Sequence, residues 1–390
     1  MKETHSFLMP DYFPDFSCKM GDCRAACCVG WPISISMQNY FHLLGMDCLQ
    51  PLRERIDCGL HIYDHPTQER YACFEPRYNG DCPLRMSDGR CRLHAEMGED
   101  VLPDICRLYP RGIRVEEGLY ECSCANSCEA VLEMLYKMQE PITFSRKAMT
   151  LQIPPISERS TIFETLGLEQ KIRLYFIEVI QNRDIPLPQR ILCLGTVLDQ
   201  MDRILANRDK PGLDLLLAEL PKTQRTQHPD IDHAHLQFGL HIAEQMLELL
   251  DERSQSIRQF GEAALAYFRN GENELDQYLH ANHHFEALFP NWENFFEHML
   301  VNHMFFSQFP FQDRPESMHS EYVALCVLYA LLRFLALGWM VKRDSTDDLI
   351  DVMAAAFRFV DHTEFDRYAS HLLHRLNCTE PNQLHDLVRL

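Results

Sequence analysis

The sequence predicts a mainly α-helical protein in which a cysteine-rich, metal-binding N-terminal region with short irregular elements is followed by an α-helical bundle. Of the 16 cysteines in the 390 residues, 13 lie between Cys18 and Cys128. From Glu129 onward, apolar residues recur at three- and four-residue spacing, which is typical of amphipathic helices. We predict a cysteine-rich domain over residues 1–140, a connector over 141–160 and a helical domain over 161–390.

The first predicted domain carries short elements separated by Gly, Pro, Asn and Asp. Few of its helical runs are long enough to bury much apolar surface, so we expect metal ligation to supply much of the stability of this domain.

The connector contains Pro141, Pro154 and Pro155, which break the helical periodicity. After it, apolar stripes predict a series of helices that no alternating, β-rich stretch separates. These helices are Phe163 to Gln181, Gln189 to Ala206, His233 to Leu250, Ser256 to Asn270, Trp292 to Phe306, Glu321 to Lys342 and Asp347 to Phe359.

The charge of the chain bears on its partners. With 37 basic and 57 acidic residues, the formal net charge is −20. This balance argues against nucleic acid or an anionic membrane as the main partner and suits a lysine-bearing protein surface. An acidic surface also confers solubility, so charge alone leaves both interpretations open.

One stretch, Tyr322 to Val341, is about long enough to cross a bilayer. Arg333 lies near its middle, where a charge is costly in lipid, so we predict a buried core helix and no membrane partner. The chain starts MKETHSFLMPDYF, which lacks the basic and apolar segments of a secretory signal. We therefore expect a cytoplasmic protein, and in a reducing cytosol such a cysteine cluster indicates a soft-metal site.

The cysteines fall into groups whose spacing suits convergence on a metal. Two chemistries compete, namely zinc in four-thiolate sites and an iron–sulfur cluster, and spacing does not choose between them. The Cys-x3-Cys-x2-Cys pattern of radical S-adenosylmethionine enzymes would need cysteine at position 30, after Cys23 and Cys27. Position 30 is Gly30, so the sequence does not support a radical mechanism of that kind. The groups are Cys18, Cys23, Cys27 and Cys28; Cys82; Cys91 and Cys106; and Cys122, Cys124 and Cys128.

Four strings carry a resemblance to a known family: FSCKMGDCRAACCVGWPISI, CPLRMSDGRCRLHAEMGEDVLPDICRLYPRG, SCEAVLEML and, later, ENFFEHMLVNHMFFSQFPF. In this order they resemble the flagellin lysine-N-methylases, members of the wider CxxCxxCC metal-chelating family. The gaps of four and three residues before Cys27 and Cys28 are wider than the name of that broad family describes.

The resemblance implies a [4Fe-4S] cluster, S-adenosylmethionine as methyl donor and the lysine ε-amines of flagellin as acceptors. It leaves open which four thiolates hold the cluster, and whether the others bind a second metal or brace the fold. Cys48, Cys58, Cys73, Cys122 and Cys124 lie outside the family pattern. Its eight cysteines fall on Cys18, Cys23, Cys27, Cys28, Cys82, Cys91, Cys106 and Cys128.

Lysine methylation requires the neutral amine, so the site must desolvate the ammonium or offer a base. Near the cysteines, His94, Tyr109 and Tyr120 are candidate bases, although His94 also suits a metal ligand or the surface and the tyrosines also suit packing. No catalytic residue is assigned on this basis.

A donor site of the Rossmann type is excluded, because no two glycines are closer than Gly112 and Gly118. Arg107 and Arg111, with Tyr109 between them, are the candidate cofactor-binding residues, since arginine can hydrogen-bond cluster sulfur or a donor carboxylate. A structural bridge to a neighbouring carboxylate explains Arg107 equally well.

The predicted helix that carries Asn302 and His303 is also ambiguous. Its polar groups suit either the lining of a substrate groove or a satisfied core histidine.

Two alternatives to the methyltransferase remain. One is a non-catalytic module in which zinc or iron staples a small domain and the helical region binds a partner. The other is a metal-scavenging or metal-insertion protein, which would carry labile, transferable metal.

Overall fold

The computed structural model describes residues 2–24, 26–116, 118–153, 166–222, 231–248, 255–269, 273–311 and 317–390. Seven strands are found there: β1 (Lys2–Pro10), β2 (Ile33–Ile35), β3 (Leu60–Ile62), β4 (Ala72–Phe74), β5 (Arg111–Glu116), β6 (Leu119–Cys124) and β7 (Phe144–Gln152).

Short helices occupy the N-terminal part: α1 (Met37–Gly45), α2 (Gln50–Gly59), α3 (Arg92–Met97), α4 (Asp104–Leu108) and α5 (Glu129–Lys137). The described C-terminal part is helical: α6 (Leu166–Ile180), α7 (Leu187–Ala206), α8 (Lys210–Leu216), α9 (His233–Glu248), α10 (Gln255–Arg269), α11 (Glu274–Leu288), α12 (Trp292–Ser307), α13 (Met318–Met340), α14 (Thr346–His362), α15 (Phe365–Arg375) and α16 (Pro381–Val388). The predicted fold class is confirmed, and each of the seven predicted helices corresponds to one of these elements.

Part of the predicted connector is a strand. Over its whole length β7 pairs antiparallel with β1, from Lys2 opposite Gln152 to Pro10 opposite Phe144. The four-stranded sheet has the order β5-β6-β1-β7, and β1 runs parallel to β6. Positions 154–160 of the predicted connector lie outside the described residues.

The described residues form two hydrophobic cores. The larger one joins the four-stranded sheet and α5 to the C-terminal helices. A smaller core lies beneath the sheet β2-β4-β3, where Leu43, Leu52, Ile56, Phe74 and Leu93 are almost completely buried. The cysteine-rich segment therefore has apolar packing of its own.

Helix α13 is the one described helix that is long and apolar enough to cross a membrane, and 83% of its most apolar stretch is buried inside the fold. This agrees with the predicted core helix. The Arg333 guanidinium donates to Asn282 Oδ1 and lies 4.0 Å from the Trp292 ring centroid. Hydrogen bonding and the ring face explain how this helix tolerates a buried charge.

A buried ion cluster fixes α12 against α7. The Glu297 side chain is fully buried and accepts hydrogen bonds from Arg183 (2.8 and 2.9 Å) and from Arg190. Arg190, 3% exposed, also donates to the carbonyl oxygen of Ile185. The charge on each partner is therefore compensated inside the fold.

Candidate functional site

Four of the family cysteines form a first thiol group, composed of Cys28, Cys82, Cys91 and Cys106. The backbone N–H of Cys82 donates to the carbonyl oxygen of Cys28 at 2.8 Å, and Arg85 forms a β-bridge with Cys91. Burial raises the pKa of Cys106 well above its ordinary value, and the neighbouring thiols Cys82, Cys91 and Cys28 raise it further. Residues distant in sequence thus place four sulfurs in one neighbourhood.

A second thiol group consists of Cys18, Cys23 and Cys128. Burial, with the charges of Glu129, Cys128 and Cys18, raises the pKa of Cys23 to about 11. This group is held to α5 by Lys19, whose ammonium donates to Glu129 Oε1 at 2.7 Å.

Cys27 lies between the two groups. Its pKa is raised by a hydrogen bond with Cys28, by burial, and by the nearby thiols of Cys28, Cys106 and Cys18. The same hydrogen bond, helped by Arg85, lowers the pKa of Cys28 to about 7 against the opposing effect of burial. Cys28 is therefore the thiol most readily present as thiolate at neutral pH.

Backbone N–H groups point at several of these sulfurs. Cys91 precedes α3 and accepts from His94 and Leu93, while Cys128 precedes α5 and accepts from Val131 and Ala130. Leu84 donates to Cys82 in the same way, and Met20 donates to Cys18 Sγ at 3.4 Å. Such hydrogen bonds favour thiolate and are typical of sulfur that ligates metal.

Cys27 and Cys106 combine solvent exposure with a raised pKa. A hydrogen bond with Cys28, together with burial, raises the pKa of Cys27, and burial raises the pKa of Cys106.

The thiols suit a soft metal by their chemistry and their N–H donors. Across the described parts of the chain, however, no three His, Cys, Asp or Glu side chains stand in a geometry that could hold a metal ion. Binding would therefore require the thiol side chains to move.

The cysteines outside the family pattern have other surroundings. Cys122 and Cys124 are buried in β6, and the buried Cys73 thiol of β4 lies 3.1 Å from Glu75 Oε1. Cys58 is exposed, and Cys48 accepts a long contact from Arg53.

The candidate cofactor-binding arginines have partners within the protein. Arg107 pairs with Asp104 and contacts the carbonyl oxygen of Asp100. Arg111 lies 4.9 Å from the Phe16 ring centroid. Both are positioned by the fold, and Arg107 makes the structural bridge considered from the sequence.

Of the three candidate bases, Tyr109 alone joins a polar network that reaches the C-terminal helices. Its hydroxyl donates to Ser127 Oγ at 3.2 Å, and Ser127 Oγ lies 3.2 Å from His362 Nε2. Tyr120 stacks on His5 with ring centroids 4.0 Å apart, and His94 lies in α3 after Cys91. We call Tyr109, Ser127 and His362 the polar chain.

Helix α14 positions the end of the polar chain. Asp361 Oδ2 accepts from the backbone N–H of Ser127 at 3.1 Å, and the His362 ring meets Trp31 edge-on at 4.6 Å. His303 of α12 lies 3.5 Å from Asp361, and both side chains are buried, 6% and 2% exposed. His303 is thus a core histidine that supports Asp361.

Asn302 of α12 hydrogen-bonds to the segment Cys124 to Asn126, which directly precedes Ser127. Its amide donates to the carbonyl oxygen of Cys124 at 2.8 Å and to Asn126 Oδ1 at 2.6 Å, while its oxygen accepts from Tyr12. Sequence reasoning missed Ser127, Asp361 and His362. These residues contact one another only because α14 packs against the segment that carries Ser127, and no local sequence motif predicts that packing.

The loop that carries Cys18 to Cys28 is held between α5 and α14. Arg24 pairs with Asp351 of α14 at 2.8 Å and lies 3.5 Å from Glu129 of α5. Arg358 of α14 donates to the carbonyl oxygen of Ala26. The cysteine-bearing loop is therefore bound both to the N-terminal helix α5 and to the C-terminal helix α14.

The model of one protein family matches this chain. Residues 173–385, more than half of the chain and inclusive of α14, match the FliB lysine N-methylase C-terminal domain. Searches of curated proteins and of solved structures found no significant match.

Proposed function

Because the chain belongs to the FliB lysine N-methylase family, and is thus a lysine methylase, we propose that it transfers methyl groups from S-adenosylmethionine to lysine ε-amines of flagellin in the cytoplasm. We further propose that it depends on a [4Fe-4S] cluster held by cysteine thiolates. The observation that carries the proposal is that Tyr109 lies near the thiols of Cys128 and Cys27 and is joined through the polar chain to α14 of the family-matched region.

The first thiol group is the set that we propose as cluster ligands. It supplies four thiolates, which is the usual ligand count for such a cluster. Cys28 has a lowered pKa, and Cys82 and Cys91 accept backbone N–H groups that stabilise negative sulfur. The second thiol group and Cys27 then brace the loop or bind a second metal.

The chemistry is a displacement at the methyl carbon of a sulfonium. At pH 7, deprotonating a lysine of ordinary pKa, about 10.4, costs roughly 4 to 5 kcal/mol, so the site must assist. When bound, an iron–sulfur cluster would supply iron that can orient the carboxylate or amine of the donor's methionine portion.

The acidic surface fits the proposed partner. A formal net charge of −20 attracts a lysine-bearing protein and disfavours nucleic acid. Cys27, Cys106 and His362 are exposed, which supports access for a lysine side chain from another protein.

Methyl transfer is tested with protein purified anaerobically, mixed with flagellin and S-adenosylmethionine, and followed by mass measurement of lysine-containing peptides. We expect iron and acid-labile sulfide in the protein and a mass gain on lysine. No mass gain with the cluster intact refutes the methyl transfer, whereas colourless protein with stoichiometric zinc supports the non-catalytic alternative.

The ligand assignment has its own variants. Cys82→Ser and Cys106→Ser should lose iron and methylation together. Cys73→Ser is the matched control, because this buried thiol lies in β4 outside both thiol groups. If Cys82→Ser and Cys106→Ser both keep their iron, the assignment is wrong.

A further inference from the structure

We infer that Tyr109, Ser127 and His362 form a proton relay that takes the proton from the substrate lysine before methyl transfer. This inference rests on the proposed function and assigns roles to residues from both halves of the chain.

The geometry supports a continuous path. Tyr109 donates to Ser127 Oγ, which leaves the Ser127 hydroxyl proton free to point at His362 Nε2; both separations are 3.2 Å. For Nε2 to accept, the ring must carry its proton on Nδ1. The path thus runs from Tyr109, near the thiols of Cys128 and Cys27, to a ring that is accessible to solvent.

The three groups are held in place by neighbours. Asp361 fixes Ser127 through its backbone N–H, and Trp31 packs against the His362 ring. Arg358, which lies 5.4 Å from the Trp31 ring centroid, completes the contact between α14 and the cysteine-bearing loop. A relay needs such fixed geometry, because proton transfer requires hydrogen-bond distances.

The electrostatics explain why Tyr109 cannot act alone. Burial raises the pKa of Tyr109 well above its ordinary value, and the nearby thiols of Cys128 and Cys27 raise it further. A phenolate is therefore disfavoured, and Tyr109 can accept a proton only while it passes its own to Ser127.

His362 is available to receive that proton. Desolvation by the surrounding protein lowers its pKa although part of the side chain reaches solvent; Arg358 acts in the same direction, and the charge of Asp361 opposes both. Among the described residues, Asp361, Arg358 and Tyr109 are the ionisable groups near the ring. His362 is thus neutral at pH 7 and, being accessible, passes the proton on to water.

The step balances as follows. The lysine Nζ–H bond breaks as the Tyr109 oxygen gains that proton; the Tyr109 proton moves to Ser127, and the Ser127 proton moves to His362 Nε2. The freed Nζ lone pair then bonds to the methyl carbon. The carbon–sulfur bond breaks, and its electron pair stays on the sulfur of S-adenosylhomocysteine.

The test compares methylation rates at pH 7.5 and 9.5 for Tyr109→Phe, His362→Asn and the wild type. At pH 7.5 we expect each variant to lose roughly 100-fold or more, the usual effect of removing a general base. The loss should shrink towards pH 9.5, because lysine, with a pKa of about 10.4, then deprotonates without help. Iron content and donor affinity should stay at wild-type levels.

Tyr120→Phe is the matched control, since it removes a tyrosine hydroxyl outside the polar chain and should keep the wild-type pH profile. A loss that is equal at both pH values would assign Tyr109 and His362 a structural role and overturn the relay. Full activity in both variants would also overturn it.

A second measurement does not depend on activity. Nitrogen-15 NMR of the histidine rings, with His362 identified by its disappearance in His362→Asn, reports which ring nitrogen carries the proton. We expect an unprotonated Nε2 at pH 7.5 whose signal shifts in Ser127→Ala. A protonated Nε2 contradicts the relay even if flagellin proves not to be the substrate, whereas an inactive wild type with the expected tautomer refutes the proposed function alone.

Discussion

Glu297 at the junction of α12 and α7 gives the sharpest prediction for stability. Its carboxylate is fully buried and binds two arginines, of which Arg190 is almost as deeply buried. In Glu297→Ala both guanidinium groups lose their close carboxylate partner, and Arg190 keeps its bonds to the carbonyl oxygens of Ile185 and Ile180 and a longer contact of 3.7 Å with Glu293 Oε2.

The magnitude follows from the burial. Breaking a buried ion pair by removing one partner costs about 3–5 kcal/mol, because a charge is left uncompensated away from water. Glu297→Gln keeps an oxygen acceptor and loses the charge, so about 1.5–3 kcal/mol is expected, the value of a hydrogen bond to a charged group. For large domains, about 2 °C per kcal/mol places the change in Tm for the alanine variant at roughly 6–10 °C.

The assay is urea unfolding followed by far-ultraviolet circular dichroism, with thermal unfolding as a second readout. The control is Glu244→Ala, which breaks a partly exposed pair with Arg269, 34% and 30% exposed, and should cost at most about 1 kcal/mol. If Glu297→Ala is no less stable than Glu244→Ala, the ion cluster does not contribute the expected free energy of unfolding.

Three further outcomes are expected. Metal analysis should show that Cys82→Ser loses the cluster iron while Cys73→Ser retains it. Burial lowers the pKa of His298, so the unfolded state binds more protons than the folded state, and the free energy of unfolding should fall as pH drops below about 6.5. In His298→Gln this fall should be shallower, as measured by denaturation at a series of pH values from 7.5 to 5. A Cβ at Gly195 would lie 2.6 Å from the Tyr322 hydroxyl, so Gly195→Ala should cost about 1–3 kcal/mol by overpacking, measured by urea unfolding.

The helices that the sequence predicted are long, with 15 or more residues each. The missed helices α8, α15 and α16 have 7, 11 and 8 residues, and the longer missed helix α11 is rich in His, Asn, Asp and Glu. Tertiary packing, not local pattern, decides such segments.

The strand β7 was missed for a different reason. Its partner β1 lies about 140 positions earlier, and all nine residues of β7 are paired to it. Prolines on both sides of this strand, Pro141 before it and Pro154 and Pro155 after it, suggested an irregular chain. A local pattern also carries no information about a partner so distant in sequence.

The candidate site likewise contains residues that the sequence identified and groupings that only tertiary packing produces. The eight family cysteines were identified by resemblance, but their grouping depends on the turns that bring Cys28 beside Cys82. His362 follows the predicted helix that ends at Phe359, and only the packing of α14 against Trp31 and Ser127 brings it to the thiols.

The attachment of the cysteine-bearing loop links metal binding to the polar chain. Arg24 and Arg358 tie that loop to α14, and Trp31 at its end packs on His362. Metal ligation would restrict the motion of the loop at Cys28, three residues before Trp31. It would thereby also restrict the motion of the His362 ring, which Trp31 contacts. Occupancy of the first thiol group is therefore expected to order His362 even if the metal itself takes no part in methyl transfer, because one short segment carries both contacts.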